Sequence, residues 1–290
     1  FLILAILGGY FIARRSLAPI RKIATTASQI GQGRDLKKRI ELGEGTDEIH
    51  QLADTFNAMF ERLDSLFEAE RQFTSDVSHE LRTPMAVIMA QCEYLLEKQR
   101  STEEYEDAIK LIQRQSKKMT NLITDMLAFA RLEFQIDSFE MHKVNLTKLV
   151  SAVCEDMAQI QDKNITLTWK TDDDVFIAGN EHLLTRLLSN LIGNAYRYGK
   201  NNGYIFVELS ESPEQVVLSV KDNGIGISSE DQKNIFQRFY RADKSRASKG
   251  TGIGLAMVNE IAELHKGTIS VNSILGEGST FLFIISKSPH

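Results

Sequence analysis

From Ile49 the chain sets apolar residues at Leu52, Phe56, Met59, Leu63 and Leu66, steps of 3, 4, 3, 4 and 3 that hold one seam on one face of a helix. A strand pattern cannot produce that count. Continued, it meets Glu70, Phe73 and Val77, so the seam predicts a helical rod that carries one charged position into the next segment. There the apolar stripe reads Phe73, Val77, Leu81, Met85, Ile88, Cys92 and Leu95. At about 100° per residue, His79 falls roughly 200° round from Val77. Its ring is therefore expected to point away from the seam, with Thr83 on the same exposed side and Glu80 beside it. Pro84 removes one helical N–H and is expected to bend the helix a turn past the histidine.

The 290 residues allow two or three domains, and 42% apolar with 25% charged residues is an ordinary globular balance. A net charge of −5 lacks the basic footprint of a nucleic-acid binder. Cys92 and Cys154 have no metal-type spacing, and a reducing cytoplasm fits them best. Phe1 to Ala13 is an unbroken run of apolar residues and glycine followed by Arg14 and Arg15. It is too short for a bilayer, which takes about 20 residues, and reads as the inner end of a truncated membrane helix with the arginines on the cytoplasmic side. A signal-peptide core fits less well, because there the basic residues come first.

Pro19 is placed to open a helix at its first position, with Ile20, Ile23, Ala27 and Ile30 on one face. Gly31, Gly33, Gly43 and Gly45 bound a connector with apolar anchors at Leu36, Ile40 and Leu42, and cap-type residues near Thr46 open the second helix. A polar break at Lys98 to Glu104 precedes another helix running to about Arg131, with Ile109, Ile112, Met119, Leu122, Ile123, Met126 and Ala130 on one side. Two antiparallel helices with one stripe each bury more by pairing with a second copy in a four-helix bundle, so a homodimer is expected. From Asn164 the period changes. Ile165, Leu167 and Trp169 alternate, as do parts of Tyr204 to Leu209 and Val216 to Val220; Phe281 to Ile285 is a buried-strand candidate, and helical segments lie near Glu181 to Arg197 and Gly254 to His265. This is an α/β layer.

Three motifs in that layer carry chemistry. Asn190 and Asn194 lie four apart on one helix face with Arg197 and Tyr198 following, and amide oxygens are hard ligands suited to Mg²⁺, although surface or capping asparagines share the pattern. Asp222-Asn223-Gly224-Ile225-Gly226 follows a strand pattern, where a carboxylate can accept from an adenine amino group; on this motif alone an Asx-type turn fits equally well. Gly250-Thr251-Gly252-Ile253-Gly254-Leu255 opens a helix whose N–H groups can meet phosphate. The turn falls late in the domain without a βαβ context or a Walker-type lysine, which disfavours nicotinamide and P-loop enzymes. Between the last two motifs lie Phe236, Phe239 and Tyr240 with Arg238, Arg241, Lys244, Arg246 and Lys249, either a basic stretch that closes over a triphosphate or a solvated loop. The aromatic pair suits a packing hinge. Coupled to such a site, His79 reads as a phosphate acceptor, with Glu80 taking the second ring proton as the first nitrogen attacks.

The two N-terminal helices with their glycine-bounded connector resemble the HAMP relay module, a plain coiled-coil stalk being the alternative. The His79 segment, the asparagine helix, Asp222-x-Gly224-x-Gly226, Phe236-x-x-Phe239 and Gly250-x-Gly252-x-Gly254-Leu255 resemble, in order, the H, N, G1, F and G2 boxes of bacterial sensor histidine kinases. The resemblance implies a multidomain chain: 1–13 the end of a transmembrane helix, 14–67 HAMP, 68–133 an all-α dimerisation and phosphotransfer hairpin, and 134–290 an α/β sandwich whose mixed sheet carries helices on one face. It implies ATP and Mg²⁺, a lid between about Ser228 and Lys249, a response-regulator receiver domain as phosphate recipient, and residence at the bacterial inner membrane with this region on the cytoplasmic side. His79 would be phosphorylated with Glu80 as base. Asn194, backed by Asn190, would hold Mg²⁺; Asp222 would read adenine, Tyr198 would pack near the base and Arg241 would reach the γ-phosphate. Arg197 stands where lysine is frequent, and Thr83 matches the residue that orients water in the phosphatase reaction. Gyrase-type relatives carry a glutamate at the place of Asn190, and an amide cannot act as that base. Transfer to a side chain is thus expected over hydrolysis, with a catalytically silent, nucleotide-regulated scaffold as the alternative.

Overall fold

A computed structural model describes residues 2–33, 37–42, 47–134, 139–160, 163–242 and 250–287, and the chain divides into two compact units, one up to Glu80 and the other from Leu81. In the first, α1 (Leu2–Gly33) runs on through Pro19, which therefore does not open a helix. An interior proline costs about 3 kcal/mol. The helix persists because the face beyond it, Ile23 and Ala27, packs with Ile40, Ala53 and Phe60. Gly31 and Gly33 fall in the last turn of α1, while Leu36, Gly43, Gly45 and Thr46 lie outside the described residues.

The connector is anchored at Ile40 and Leu42, as its apolar residues predict. Ile40 is further clamped by an unforeseen residue: its N–H donates to Asn57 Oδ1 at 2.8 Å, and Asn57 Nδ2 donates to its carbonyl at 3.1 Å. Asp47 caps α2 (Glu48–Glu97) by accepting from His50 N at 3.0 Å. The heptad seam divides in two. Ile49 and Phe56 are partly buried against Ala53 and Phe60, two buried residues outside the predicted seam that turn toward α1 and the connector, while Leu52, Met59, Leu63 and Leu66 stay exposed. Both stripes are apolar, and a single chain has cover for one. The helix continues through Pro84.

In the second unit the end of α2 turns into α3 (Thr102–Phe134) within the expected polar break. Arg100 explains the tightness of the turn: its guanidinium donates to the Tyr94 carbonyl at 2.9 and 3.1 Å and stacks 3.7 Å over the Tyr94 ring. Ser101 and Glu104 exchange capping-box hydrogen bonds, Ser101 N to Glu104 Oε2 and Glu104 N to Ser101 Oγ. Along α3, Ala108, Leu122, Phe129 and Leu132 are buried. Ile109 and Ile123, assigned to the covered side, are exposed, together with Met85, Met89 and Leu127. One neighbouring helix covers only the line of closest approach, so residues flanking that line stay open.

The α/β part follows as β1 (His142–Asn145), α4 (Leu146–Ala158), β2 (Thr166–Thr171), β3 (Phe176–Gly179), α5 (Glu181–Tyr198), β4 (Tyr204–Glu211), β5 (Gln215–Asp222), α6 (Ser229–Gln232), α7 (Gly254–Leu264), β6 (Gly267–Ile274) and β7 (Gly278–Ser286). β1 and β3 pair antiparallel; the main sheet has the order β2-β4-β5-β7-β6, with β2 parallel to β4 and the other pairs antiparallel. Period-two alternation does the sorting. Ile205, Val207 and Leu209 of β4, Val216, Leu218 and Val220 of β5 and Phe281 and Phe283 of β7 are buried, as are Leu184, Leu187, Leu188, Leu191 and Ile192 of α5. Cys154 of α4 lies in the same core, where burial pushes its thiol up to about 12 and leaves it inert.

Two polar devices fix α5, the helix that matters most for the site. At its start, the Asn180 side chain accepts from Leu183 N at 3.2 Å, while the Asn180 N–H donates to His265 Nε2 at 3.0 Å. At its end, Lys163 Nζ donates to the carbonyls of Tyr196, Arg197 and Gly199 at 3.2, 2.6 and 3.1 Å, a cation where the helix dipole is negative.

Candidate active site

One face of α5 carries Asn190, Gly193, Asn194 and Arg197 into a cavity of about 280 Å³. Opposite them stand Gly250, Thr251, Gly252, Gly254 and Leu255, and Tyr198, Ile235, Tyr240 and Arg241 complete most of the wall. The two sides touch closely. A Cβ on Gly250 would lie 2.8 Å from Arg197 Nη1, and one on Gly254 would lie 3.1 Å from Asn190 Oδ1. Arg197 Nη1 also donates to Asn194 Oδ1 at 3.4 Å. The start of α7 has no side-chain cap, which suits its first N–H groups to an anion.

Gly252 is the position where the turn requires glycine. Its φ is +72°, and a Cβ there would lie 2.8 Å from the Phe239 backbone, whose N–H donates to the Gly252 carbonyl at 2.9 Å. The glycine turn is thereby tied to the segment carrying Tyr240 and Arg241. At the other end of that segment Asp231 accepts from the Tyr240 hydroxyl at 2.7 Å and the Ser228 hydroxyl at 2.6 Å, and both bonds hold its carboxyl below the usual range. Phe236 meets Phe281 edge-on with centroids 6.5 Å apart, in keeping with its assignment to packing. Lys244, Arg246 and Lys249 lie outside the described residues, so the expected lid is described only as far as Ala242.

Asp222, Gly224 and Gly226 are not among the residues that line the cavity. Asp222 ends β5, nearly buried, and its carboxylate accepts from Gly224 N at 2.7 Å. Burial raises its pKa, with the Gly224 and Ser279 N–H groups pulling the other way. The turn adjoins the cavity through Tyr198, whose carbonyl accepts from Ile225 N at 3.1 Å. Gly226 has φ +68°, and a Cβ there would lie 2.0 Å from the Ile274 carbonyl oxygen.

His79 is exposed on α2, as the stripe predicts; Thr83 is exposed and Glu80 half-buried. Sequence reasoning missed three wall residues with distinct chemistry. Tyr240 has no role in the sequence motifs, Ser189 belongs to none of them, and Asp125 reaches the cavity from α3. Only the tertiary fold brings Asp125 near the glycines, since its local sequence reads as an ordinary polar helix position. No group of three or more His, Cys, Asp or Glu side chains among the described residues could hold a metal ion.

An asparagine-bearing helix faces a glycine-rich helix start on a mixed sheet, the layout of an ATPase-type α/β fold, and a long helical hairpin with an exposed histidine precedes it in the chain. Three family models match in order: the HAMP domain over residues 11–65, the His Kinase A phospho-acceptor domain over 69–135, and the histidine kinase-, DNA gyrase B- and HSP90-like ATPase over 179–289. The sensor protein kinase PmrB of Pseudomonas aeruginosa is 34% identical over 293 residues, covering 99% of this chain and 60% of PmrB. The sensor histidine kinase CusS of Escherichia coli K12 is 34% identical over 259 residues, 88% of this chain and 54% of CusS. Among solved structures, full-length ShkA in complex with AMPPNP aligns with TM-score 0.55 and 26% identity over 76% of this chain and 46% of ShkA. The chain belongs to the sensor histidine kinases of two-component systems. It spans 60% of PmrB's length and 54% of that of CusS.

Proposed function

We propose that this chain phosphorylates its own His79 from ATP and passes the phosphoryl group to an aspartate of a response-regulator receiver domain. One observation carries the reading: the amide face of α5, Asn190 and Asn194, stands directly across a cavity from the glycine-rich start of α7, with Arg197 and Arg241 in the wall. That arrangement offers backbone N–H groups and cations to phosphates, and no carboxylate stands at Asn190 to activate water. The complex of the related ShkA with AMPPNP supports adenine nucleotide as the ligand.

In the transfer, a ring nitrogen of His79 attacks the γ-phosphorus. The new N–P bond forms as the bond to the β,γ-bridging oxygen breaks, and ADP leaves with that electron pair. Glu80 takes the proton from the other ring nitrogen. Arg241 balances charge on the transferring group from the cavity wall. Asn194 and Asn190 offer amide oxygens of the hardness Mg²⁺ favours, and the ion would supply charge neutralisation at the phosphates when bound. Tyr198, with Asp222 on the adjoining turn, forms the adenine end. To Thr83, exposed one turn after His79, we assign the orienting of a water for removal of the phosphoryl group from the regulator.

The exposed apolar residues of the hairpin, Met85, Met89, Ile109, Ile123 and Leu127, support a homodimeric four-helix bundle. We assign residues 1–13 to the end of a membrane helix, 14–67 to HAMP, 68–133 to the dimerisation and phosphotransfer hairpin and 134–290 to the ATP-binding domain. No helix among the described residues is long and apolar enough to cross a membrane. Anchoring at the inner membrane therefore rests on the family and on the apolar run before Arg14. Incubation with γ-labelled ATP and Mg²⁺ is expected to give an alkali-stable, acid-labile label. Label that persists in His79→Ala would overturn the assignment.

A further inference from the structure

Asp125, from α3, puts a carboxylate into the wall of the cavity that also holds Arg197, Arg241 and the glycine-rich start of α7. Its Oδ2 accepts from the Thr251 hydroxyl at 2.9 Å, and its Oδ1 is 3.3 Å from Arg186 Nη2 of α5. One turn further along α3, Phe129 lies 4.6 Å beneath the guanidinium of Arg238, which belongs to the segment that leads to Tyr240 and Arg241. A single face of α3 thus grips the glycine turn, α5 and the base of the lid.

A threonine hydroxyl has one hydrogen to donate. Thr251 can give it to Asp125 or to a phosphate oxygen, and two anions drawn to the same donor also repel each other. We propose that Asp125 is a nucleotide-sensitive clasp: phosphate arriving at the glycine turn displaces the carboxylate from Thr251 and releases the ATP-binding lobe from α3. By reciprocity, a lobe held on α3 binds nucleotide more weakly than a released one. The inference rests on the nucleotide reading of the cavity. What it adds is that the phosphates, and not the base, control the attachment of the lobe to the hairpin.

The full chain and Asp125→Ala are titrated calorimetrically with AMPPNP and Mg²⁺ and with adenosine, and amide hydrogen exchange is followed in the Leu122–Phe129 stretch of α3. AMPPNP is expected to bind Asp125→Ala about fivefold or more tighter than the parent chain, while adenosine binds the two alike. Exchange in α3 should rise on adding AMPPNP to the parent chain and should start high in the variant. Asp125→Asn, which keeps an acceptor but no charge, should fall between them. Unchanged affinity, or tighter binding without any response in α3, would overturn the clasp while leaving the nucleotide site intact. A parent chain that binds no AMPPNP would instead overturn the site itself.

Discussion

Ile40 and Asn57 exchange two hydrogen bonds, amide to Oδ1 at 2.8 Å and Nδ2 to carbonyl at 3.1 Å, across a gap of 17 residues. The side-chain amide of Asn57 acts as a strand neighbour for an isolated connector residue, which lets Ile40 enter the helical core without stranding its backbone polar groups. Asn57→Ala leaves both groups unpaired, at a cost of about 1–3 kcal/mol. Trypsin should then cleave at Lys37, Lys38 or Arg39 several times faster than in the parent chain. Equal cleavage rates would show that the clamp does not hold the connector.

His265 is buried with its hydrogen positions dictated by its partners: Nδ1 donates to the Ile261 carbonyl at 2.7 Å, and Nε2 accepts from Asn180 N at 3.0 Å. Only the neutral ring satisfies both bonds, and burial lowers its pKa below the usual histidine value. The folded state thus disfavours protonation relative to the unfolded chain, so this contribution is present above about pH 6.5 and is lost as pH falls below it. Urea midpoints of the parent chain should drop between pH 7.5 and 5.5. His265→Gln should be less stable at pH 7.5 and should show a smaller drop, and a parallel drop would contradict the assignment.

Gly252 holds φ +72° with the Phe239 backbone 2.8 Å from where a Cβ would stand. Alanine there must move the turn or the base of the lid, and the left-handed backbone alone costs about 1–2 kcal/mol. Gly252→Ala is expected to weaken AMPPNP binding about tenfold or more, a loss of about 1.4 kcal/mol, while the far-ultraviolet circular dichroism stays unchanged. Parent-like affinity would show that the turn tolerates a side chain.

Lys163 closes the α5 terminus by donating to three carbonyls. Lys163→Met keeps most of the stem and removes the cation, so stability should fall by about 1–2 kcal/mol. Denaturant unfolding checks this. An unchanged midpoint would mean that water replaces the ammonium at no cost.

What the residues disclosed in advance, and what they did not, follows from how local each signal is. The outward ring of His79, the turn between α2 and α3 and the common helix face of Asn190 and Asn194 depend on spacing within one element. Pro19 misled because a proline marks a helix start only when no tertiary contact holds the helix together beyond it, and Ile23 and Ala27 provide such contacts. The seam from Ile49 was legible as apolar, but Ala53 and Phe60, which lie off it, are the residues that become buried, because Ile40 of the distant connector and Ile23 of α1 cover that side. Asp125 was invisible for the same reason: Thr251, its partner, is 126 residues away. Lys163 carries no motif, and only the fold brings it to the end of α5.

The central claim is transfer from the cavity to one imidazole, and mapping the phosphoryl group tests it most directly. The full chain, His79→Gln and Asn194→Ala are incubated with ATP and Mg²⁺, quenched in alkali and digested for mass spectrometry. One phosphoryl group is expected on the peptide containing His79 in the parent chain, and none in either variant. A phosphoryl group on another peptide, or ATP consumed as fast by His79→Gln as by the parent chain, would contradict the account.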